Sequence, residues 1–171
     1  MHAPTLETPR LRLTAPGPHC EEAYDRFYTD ADASAAYGGP ISTPAAWSRL
    51  ASDIGTWHLQ GFGVWAVQML ESAADVVGVC GFWQGKGWPR ELTWWLLPSA
   101  RGKGVAFEAS RAVVNHAYSI FGWSEVQTYM NDSNEPAKAL VLRLGGEVVG
   151  RSDFPDGMER NTYRIPPQSP A

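Results

Sequence analysis

The segment Trp94-Trp95-Leu96-Leu97-Pro98-Ser99-Ala100-Arg101-Gly102-Lys103-Gly104-Val105-Ala106 constrains this chain more than any other. An apolar run stops at a proline, and a basic turn with two glycines follows. A helical pattern then runs from Val105 to about Phe121. A strand, a glycine turn and a helix start, in that order, make an anion site. The first turn of a helix leaves roughly four backbone N–H groups unpaired at the positive end of its dipole. Gly102 and Gly104 carry no Cβ, so a phosphate can approach the backbone, and Arg101 and Lys103 add positive charge.

Two common phosphate motifs fail here. The dinucleotide pattern Gly-x-Gly-x-x-Gly meets Phe107 where its third glycine belongs, and the P-loop requires Gly-Lys-Ser/Thr, which is absent. The hexapeptide Arg101-Gly102-Lys103-Gly104-Val105-Ala106 reads as Arg/Gln-x-x-Gly-x-Gly/Ala. Alone, it also suits a plain basic turn between strand and helix. Downstream stands Asn131-Asp132-Ser133-Asn134-Glu135-Pro136-Ala137, followed by a helical run to Leu144-Gly145-Gly146. Ser133 or Asn134 can cap that helix, Pro136 suits its first turn, and Gly145 can end it.

Together these two segments resemble the two signatures of the GNAT N-acetyltransferases, and the resemblance spans Thr8 to Ile165. The segment Thr8-Pro9-Arg10-Leu11-Arg12-Leu13 looks like the ribosomal-protein-alanine N-acetyltransferase (RimJ/RimL-type) branch. The resemblance implies a mixed α/β fold, with a mostly antiparallel twisted sheet of about 6–7 strands and about four helices. It implies acetyl-CoA as co-substrate. The turn Arg101, Gly102, Lys103, Gly104, Val105 and Ala106 would grip its pyrophosphate, backbone groups of Leu96 and Leu97 its pantetheine, and Asn134 the pantetheine or a water. The strand before the turn would splay from its neighbour to admit the pantetheine arm.

At 171 residues and 44% hydrophobic content, the chain suits one domain with a substantial core, about 8–165, followed by a flexible tail at 166–171. No apolar run approaches the roughly 18 residues of a membrane span. The N-terminus lacks the basic start and apolar stretch of a secretory signal. A net charge of −4 argues against nucleic acid as partner. Cys20 and Cys80 form no disulfide framework and read as reduced thiols in a cytoplasmic protein. Four scattered histidines make no metal cluster, so no metal is expected. Eight tryptophans are too many for one core. Some should line a cleft, although each taken singly suits ordinary packing. The aromatic content is also compatible with a homodimer.

Periodicity predicts strands at Leu11–Ala15, 64–70, 76–83, 90–97, 124–130, 147–150 and 160–165. Helices are expected at 20–29, from Pro44 to 59 behind a Thr43 cap, at 105–121, and after Asn134. Turns are expected at 71–75, 84–89 and 152–157.

Acetylating an amine requires that the amine lose a proton, so a carboxylate base is useful. Glu91 opens the strand that feeds the phosphate turn, and it matches the acidic position many family members carry there. Alternation sets Glu91, Thr93, Trp95 and Leu97 on one face of that strand. An acid beside Trp95 and Leu97 would have a raised pKa; the alternative is an exposed strand-end carboxylate. The residues at which family branches carry a leaving-group acid are Val141 and Ala137 here, and neither can donate a proton. Tyr118 and Tyr129 read as structural. The acceptor should meet segment 31–60 and the Trp83–Trp88 hairpin, with Tyr37, Trp83 and Trp95 as its contacts. The leading reading is transfer of acetyl from acetyl-CoA to a primary amine, either a protein N-terminus or a small molecule. The alternatives are a non-catalytic acyl-CoA-binding module on the same fold and an unrelated phosphate-binding protein.

Overall fold

Alternation writes the strands. In β2 (Leu11–Thr14) the side chains of Leu11 and Leu13 are fully buried, while the alternating Arg12 and Thr14 are not. β3 (Val64–Met69) begins with a continuous buried run because both of its faces are covered. Trp65 and Val67 enter one core, and Val64 and Ala66 enter another. The computed structural model describes residues 3–72 and 75–170; part of the turn expected at 71–75 lies outside the described residues.

Among the described residues, eight strands form two antiparallel sheets. The larger has β1 (Leu6–Glu7), β2, β3, β4 (Val76–Trp83) and β5 (Glu91–Leu96) as successive neighbours. In the smaller, β8 (Glu159–Ile165) lies between β6 (Val126–Tyr129) and β7 (Glu147–Asp153). The sequence predicts one sheet of about 6–7 strands. The division into two falls between β5 and β6, which lie side by side without a ladder. Side chains join them instead: the Thr128 hydroxyl donates to Leu92 O at 2.8 Å, and the Tyr129 hydroxyl to Pro89 O at 3.0 Å. The strands therefore stay adjacent while their backbones part.

The sheet is packed on both faces. α1 (Glu21–Tyr28) buries Ala23, Tyr24, Phe27 and Tyr28, and these meet Val79, Trp95 and Leu97. Trp95 stacks on Phe27 at 4.2 Å between ring centroids, and Tyr24 meets it edge-on at 5.1 Å. α3 (Val105–Ser119) buries a four-residue-spaced stripe of Val105, Ala109, Val113 and Ala117 against the opposite face, alongside Leu92 and Leu96. α4 (Glu135–Arg143) adds Val141 to the same core.

Three of the departures from expectation have a direct physical cause. α2 (Thr43–Gln60) starts one residue early, because Ser42 rather than Thr43 is the cap, accepting from Ala45 N–H at 3.2 Å. β7 runs to Asp153, since Gly150, Arg151 and Ser152 pair with β8 despite poor strand propensity. The described tail, residues 166–170, has no regular structure, yet it is held: Gln168 N–H donates to Asn115 Oδ1 and its side-chain amide to Leu144 O, each at 2.8 Å. No described helix is long and apolar enough to cross a membrane.

Candidate active site

The glycine turn has the conformation its sequence implies. Gly102 and Gly104 have φ of +74° and +75°, where a Cβ is strained. A Cβ on Gly102 would meet nothing within 4 Å, so backbone conformation and not crowding requires glycine there. Gly104 caps α3, and no side chain bonds to the helix start, which leaves the first-turn N–H groups open to an anion.

The charged residues around this turn are partly committed to structure. The Arg101 guanidinium donates to Leu96 O at 3.1 Å and Ala33 O at 2.8 Å. It therefore braces the turn against β5 and the segment before α2. Arg10, which the sequence reading did not single out, pairs with Glu108 at 2.6 Å and donates to Lys103 O at 2.8 Å. The Thr8 hydroxyl adds a 2.6 Å bond to the same carboxylate. Partial burial pushes the Glu108 pKa up, but the bonds from Thr8 and Arg10 outweigh it and hold it below its usual value. These partners lie about a hundred residues apart, and only the family-like Thr8–Leu13 segment hinted at a role for Arg10.

The backbone groups of β5 divide between its two edges. Leu97 N–H is already bonded to Val77 O of β4 at 2.8 Å. Backbone groups alternate in direction along an antiparallel pair, so those of Glu91, Thr93, Trp95 and Leu97 face β4. Those of Leu92, Trp94 and Leu96 face the gap toward β6. Leu92 O is taken by Thr128 and Leu96 O by Arg101. Leu97, expected to bond the pantetheine, thus has its N–H committed to β4, while the Trp94 backbone groups and the Leu96 N–H face the gap. Leu97 lines a separate cavity beside Arg26 and Asp30.

A cleft of about 800 Å³ opens over the other end of β5. Tyr37, Trp83, Glu91, Trp95 and Asn134 all line it, so the fold brings the proposed base, the acceptor contacts and the second-signature asparagine together. The glycine turn lies outside this cleft. Trp95 is only 4% exposed, and its indole serves mainly as the floor above α1. Asn134 Oδ1 caps α4 by accepting from Ala137 N–H at 3.3 Å. Val141 is fully buried, while Ala137 reaches the cleft wall.

Glu91 faces Trp83 directly across the β4–β5 ladder. Burial drives its pKa from an ordinary 4.5 to about 8, although Arg160 and the Tyr129 hydroxyl both oppose the rise. Arg160 is itself only 7% exposed. It donates to Asn131 at 2.8 Å and makes a two-pronged pair with Asp156 at 2.7 and 2.9 Å. The Tyr37 hydroxyl is driven up by burial and then by the nearby Glu91 charge, and it bonds to Thr93.

A second carboxyl, Asp53 on α2, lines the same cleft. Burial raises its pKa to about 6, against a hydrogen bond from Tyr24 of 2.5 Å and the charge of Arg49. Sequence reasoning missed Asp53 and Arg160, since neither stands in a motif and each reaches the cleft only through tertiary packing. Among the described residues no group of three His, Cys, Asp or Glu is placed to hold a metal.

An open strand edge running into an uncapped helix start, with a desolvated carboxyl in the adjoining cleft, is the layout of a group-transfer enzyme with a phosphate-bearing donor. The family model of the GNAT acetyltransferase domain matches residues 10–147. The chain belongs to the GNAT family and is an acetyltransferase. An acetyltransferase from Agrobacterium tumefaciens str. C58 is 27% identical, with a TM-score of 0.84 over 97% of this chain and 96% of that one. The ribosomal L7/L12 α-N-protein acetyltransferase RimL, solved with coenzyme A, shares the fold at 15% identity. Its TM-score is 0.75, over 97% of this chain and 100% of that one. The microcin C7 self-immunity acetyltransferase, solved with acetyl-CoA and AMP, shares it at 14% identity. There the TM-score is 0.71, over 92% of each chain. No curated protein matches the chain in sequence.

Proposed function

We propose that this protein transfers acetyl from acetyl-CoA to a primary amine, with Glu91 as the general base. The observation that carries this reading is a carboxyl with a pKa of about 8 in a cleft beside an open strand edge. Such a group is basic enough to take a proton from an ammonium near neutral pH, and it is regenerated by release to water. The pyrophosphate would sit on the N–H groups of Val105 and Ala106 at the start of α3, with Gly102 and Gly104 allowing close approach and Lys103 adding charge. The pantetheine would pair with Trp94 and Leu96 along the β5 edge, in the gap that Thr128 and Tyr129 span. Asn134 lines the cleft where the thioester would lie.

In the reaction the amine, having given its proton to Glu91, attacks the thioester carbonyl. The C–S bond breaks, CoA leaves as thiolate, and the second proton that the nitrogen sheds on becoming an amide passes to that thiolate or to water. A backbone N–H of the β5 edge would hold the carbonyl oxygen as charge builds on it. A thiol with a pKa near about 8.5 leaves without a strong acid, which accords with Val141 and Ala137 at the usual acid positions.

Those same two departures favour a second reading, an acyl-CoA-binding module without catalysis. Glu91→Gln separates the two readings. The transferase reading expects release of free CoA thiol in the presence of an amine panel, with turnover falling about 100-fold or more in the variant and acetyl-CoA affinity retained by calorimetry. Acetyl-CoA binding without thiol release from any amine or N-terminal peptide would establish the module. No binding of acetyl-CoA would defeat both.

A further inference from the structure

The cleft around Glu91 is walled by aromatic rings from separate elements. Tyr37 comes from the short 3-10 turn ahead of α2, Trp83 from the end of β4, and Trp88 from the β4–β5 hairpin. All three line the same space as the base. The rings are held in place. Trp83 and Trp88 meet edge-to-face at 5.8 Å, and Trp88 stacks on Tyr129 at 6.2 Å. A Cβ on Gly85 would come within 2.6 Å of the Trp83 ring, so the hairpin backbone lies directly against that indole. Tyr37 rests edge-on against Phe27 at 5.5 Å, and its hydroxyl is tied to Thr93.

Two carboxyls, Glu91 and Asp53, share this space with Arg49 and Arg160, so the aromatic walls supply the binding surface and Glu91 the proton acceptor, a combination that suits an amine on a flat apolar body. Trp83 and Glu91 are paired across the ladder, which sets their Cβ atoms about 5 Å apart. A ligand ring resting on Trp83 and a nitrogen at Glu91 are therefore separated by a short linker. The cleft is also of small-molecule size.

We propose that the acceptor is a small primary amine with an aromatic ring two or three bonds from its nitrogen, bound with that ring against Tyr37, Trp83 and Trp88. This rests on the acetyl-transfer reading and gives it a substrate class. The ring sets affinity, and Glu91 receives the ammonium proton.

The test is kcat/KM, by CoA-thiol release, for tryptamine and 2-phenylethylamine against 2-cyclohexylethylamine and n-butylamine. A peptide with an N-terminal phenylalanine completes the set. The aromatic amines should lead the aliphatic ones by about tenfold or more. Trp83→Leu should bring the two groups to within about twofold of each other, and Trp83→Phe should keep most of the preference. Should Trp83→Leu fold poorly, Gly85→Ala displaces the same indole and should lower the same ratio. Equal or better turnover of the aliphatic amines, or turnover of the peptide alone, would overturn the proposal while leaving acetyl transfer intact. Turnover of none of them, with acetyl-CoA bound, would overturn the transferase reading itself.

Discussion

Glu91 and Trp83 stand opposite each other in the β4–β5 ladder, side chains on the same face, so the carboxyl of one is desolvated beside the indole of the other. If Glu91 is the base, kcat/KM rises with pH through its pKa of about 8 and levels above it. Trp83→Ala admits water, returns the pKa toward its ordinary 4.5, and moves the acid limb down. A pH–rate profile of each protein checks this. An acid limb that stays in place in the variant would remove Trp83 from the cause.

The same desolvation has a stability consequence. The folded pKa of Glu91 lies above its unfolded value of 4.5, so the native state binds the extra proton and stability falls as pH rises from 4.5 toward 8. Glu91→Gln removes that loss. Its Tm should match wild type near pH 4.5 and exceed it by about 10 °C or more above pH 8. Scanning calorimetry at the two pH values decides it.

Arg160 counters the desolvation of Glu91 from the far strand β8. Arg160→Met removes that cation and leaves Asp156 and Asn131 without their partner. The acid limb should move upward, the reverse of the Trp83 effect, and Arg160→Lys should restore part of it. A loss of rate with an unmoved limb would make Arg160 purely structural.

Arg10, paired with Glu108, holds the glycine turn through Lys103 O. The pair is partly exposed, with Arg10 at 45%, so its direct contribution to stability is modest, about 1 kcal/mol or less. Its effect should show in donor binding. Glu108→Gln frees the Arg10 brace on Lys103 O and should raise KM for acetyl-CoA about threefold to tenfold with kcat nearly unchanged. Steady-state kinetics with varied acetyl-CoA measure it, and a fall in kcat at constant KM would contradict the role.

Gly102→Ala forces a Cβ onto a residue at φ +74° with open space around it. The cost is conformational, about 1–2 kcal/mol, and should appear as a lower Tm together with weaker acetyl-CoA binding. A stable variant with unaltered affinity would mean that the turn does not hold the pyrophosphate.

Local patterns in the chain carried most of the elements and the conformation of the glycine turn. The strand–turn–helix around Gly102 and Gly104 and the capped helix after Asn134 depend on neighbours within a few residues, so spacing alone reveals them. The Ser42 cap and the extended β7 were missed because a cap one residue away and a ladder partner across a hairpin outweigh single-residue propensity. That the Leu97 N–H turns to β4 was hidden for a related reason. Which backbone groups face the gap depends on strand register, which is set by Val77 and is invisible in composition.

The sequence by itself determined the class of fold, the glycine turn ahead of α3 and the placing of a carboxylate at the head of β5, because each is written in short-range periodicity, glycine positions and charge. Only the tertiary structure decided what surrounds that carboxylate. Asp53 from α2, Arg160 from β8 and Tyr37 from the loop before α2 reach the cleft from distant parts of the chain. Desolvation and Coulomb interaction depend on distance in space and not along the chain, so the basicity of Glu91 and the aromatic walls around it exist only once the two sheets have packed and parted.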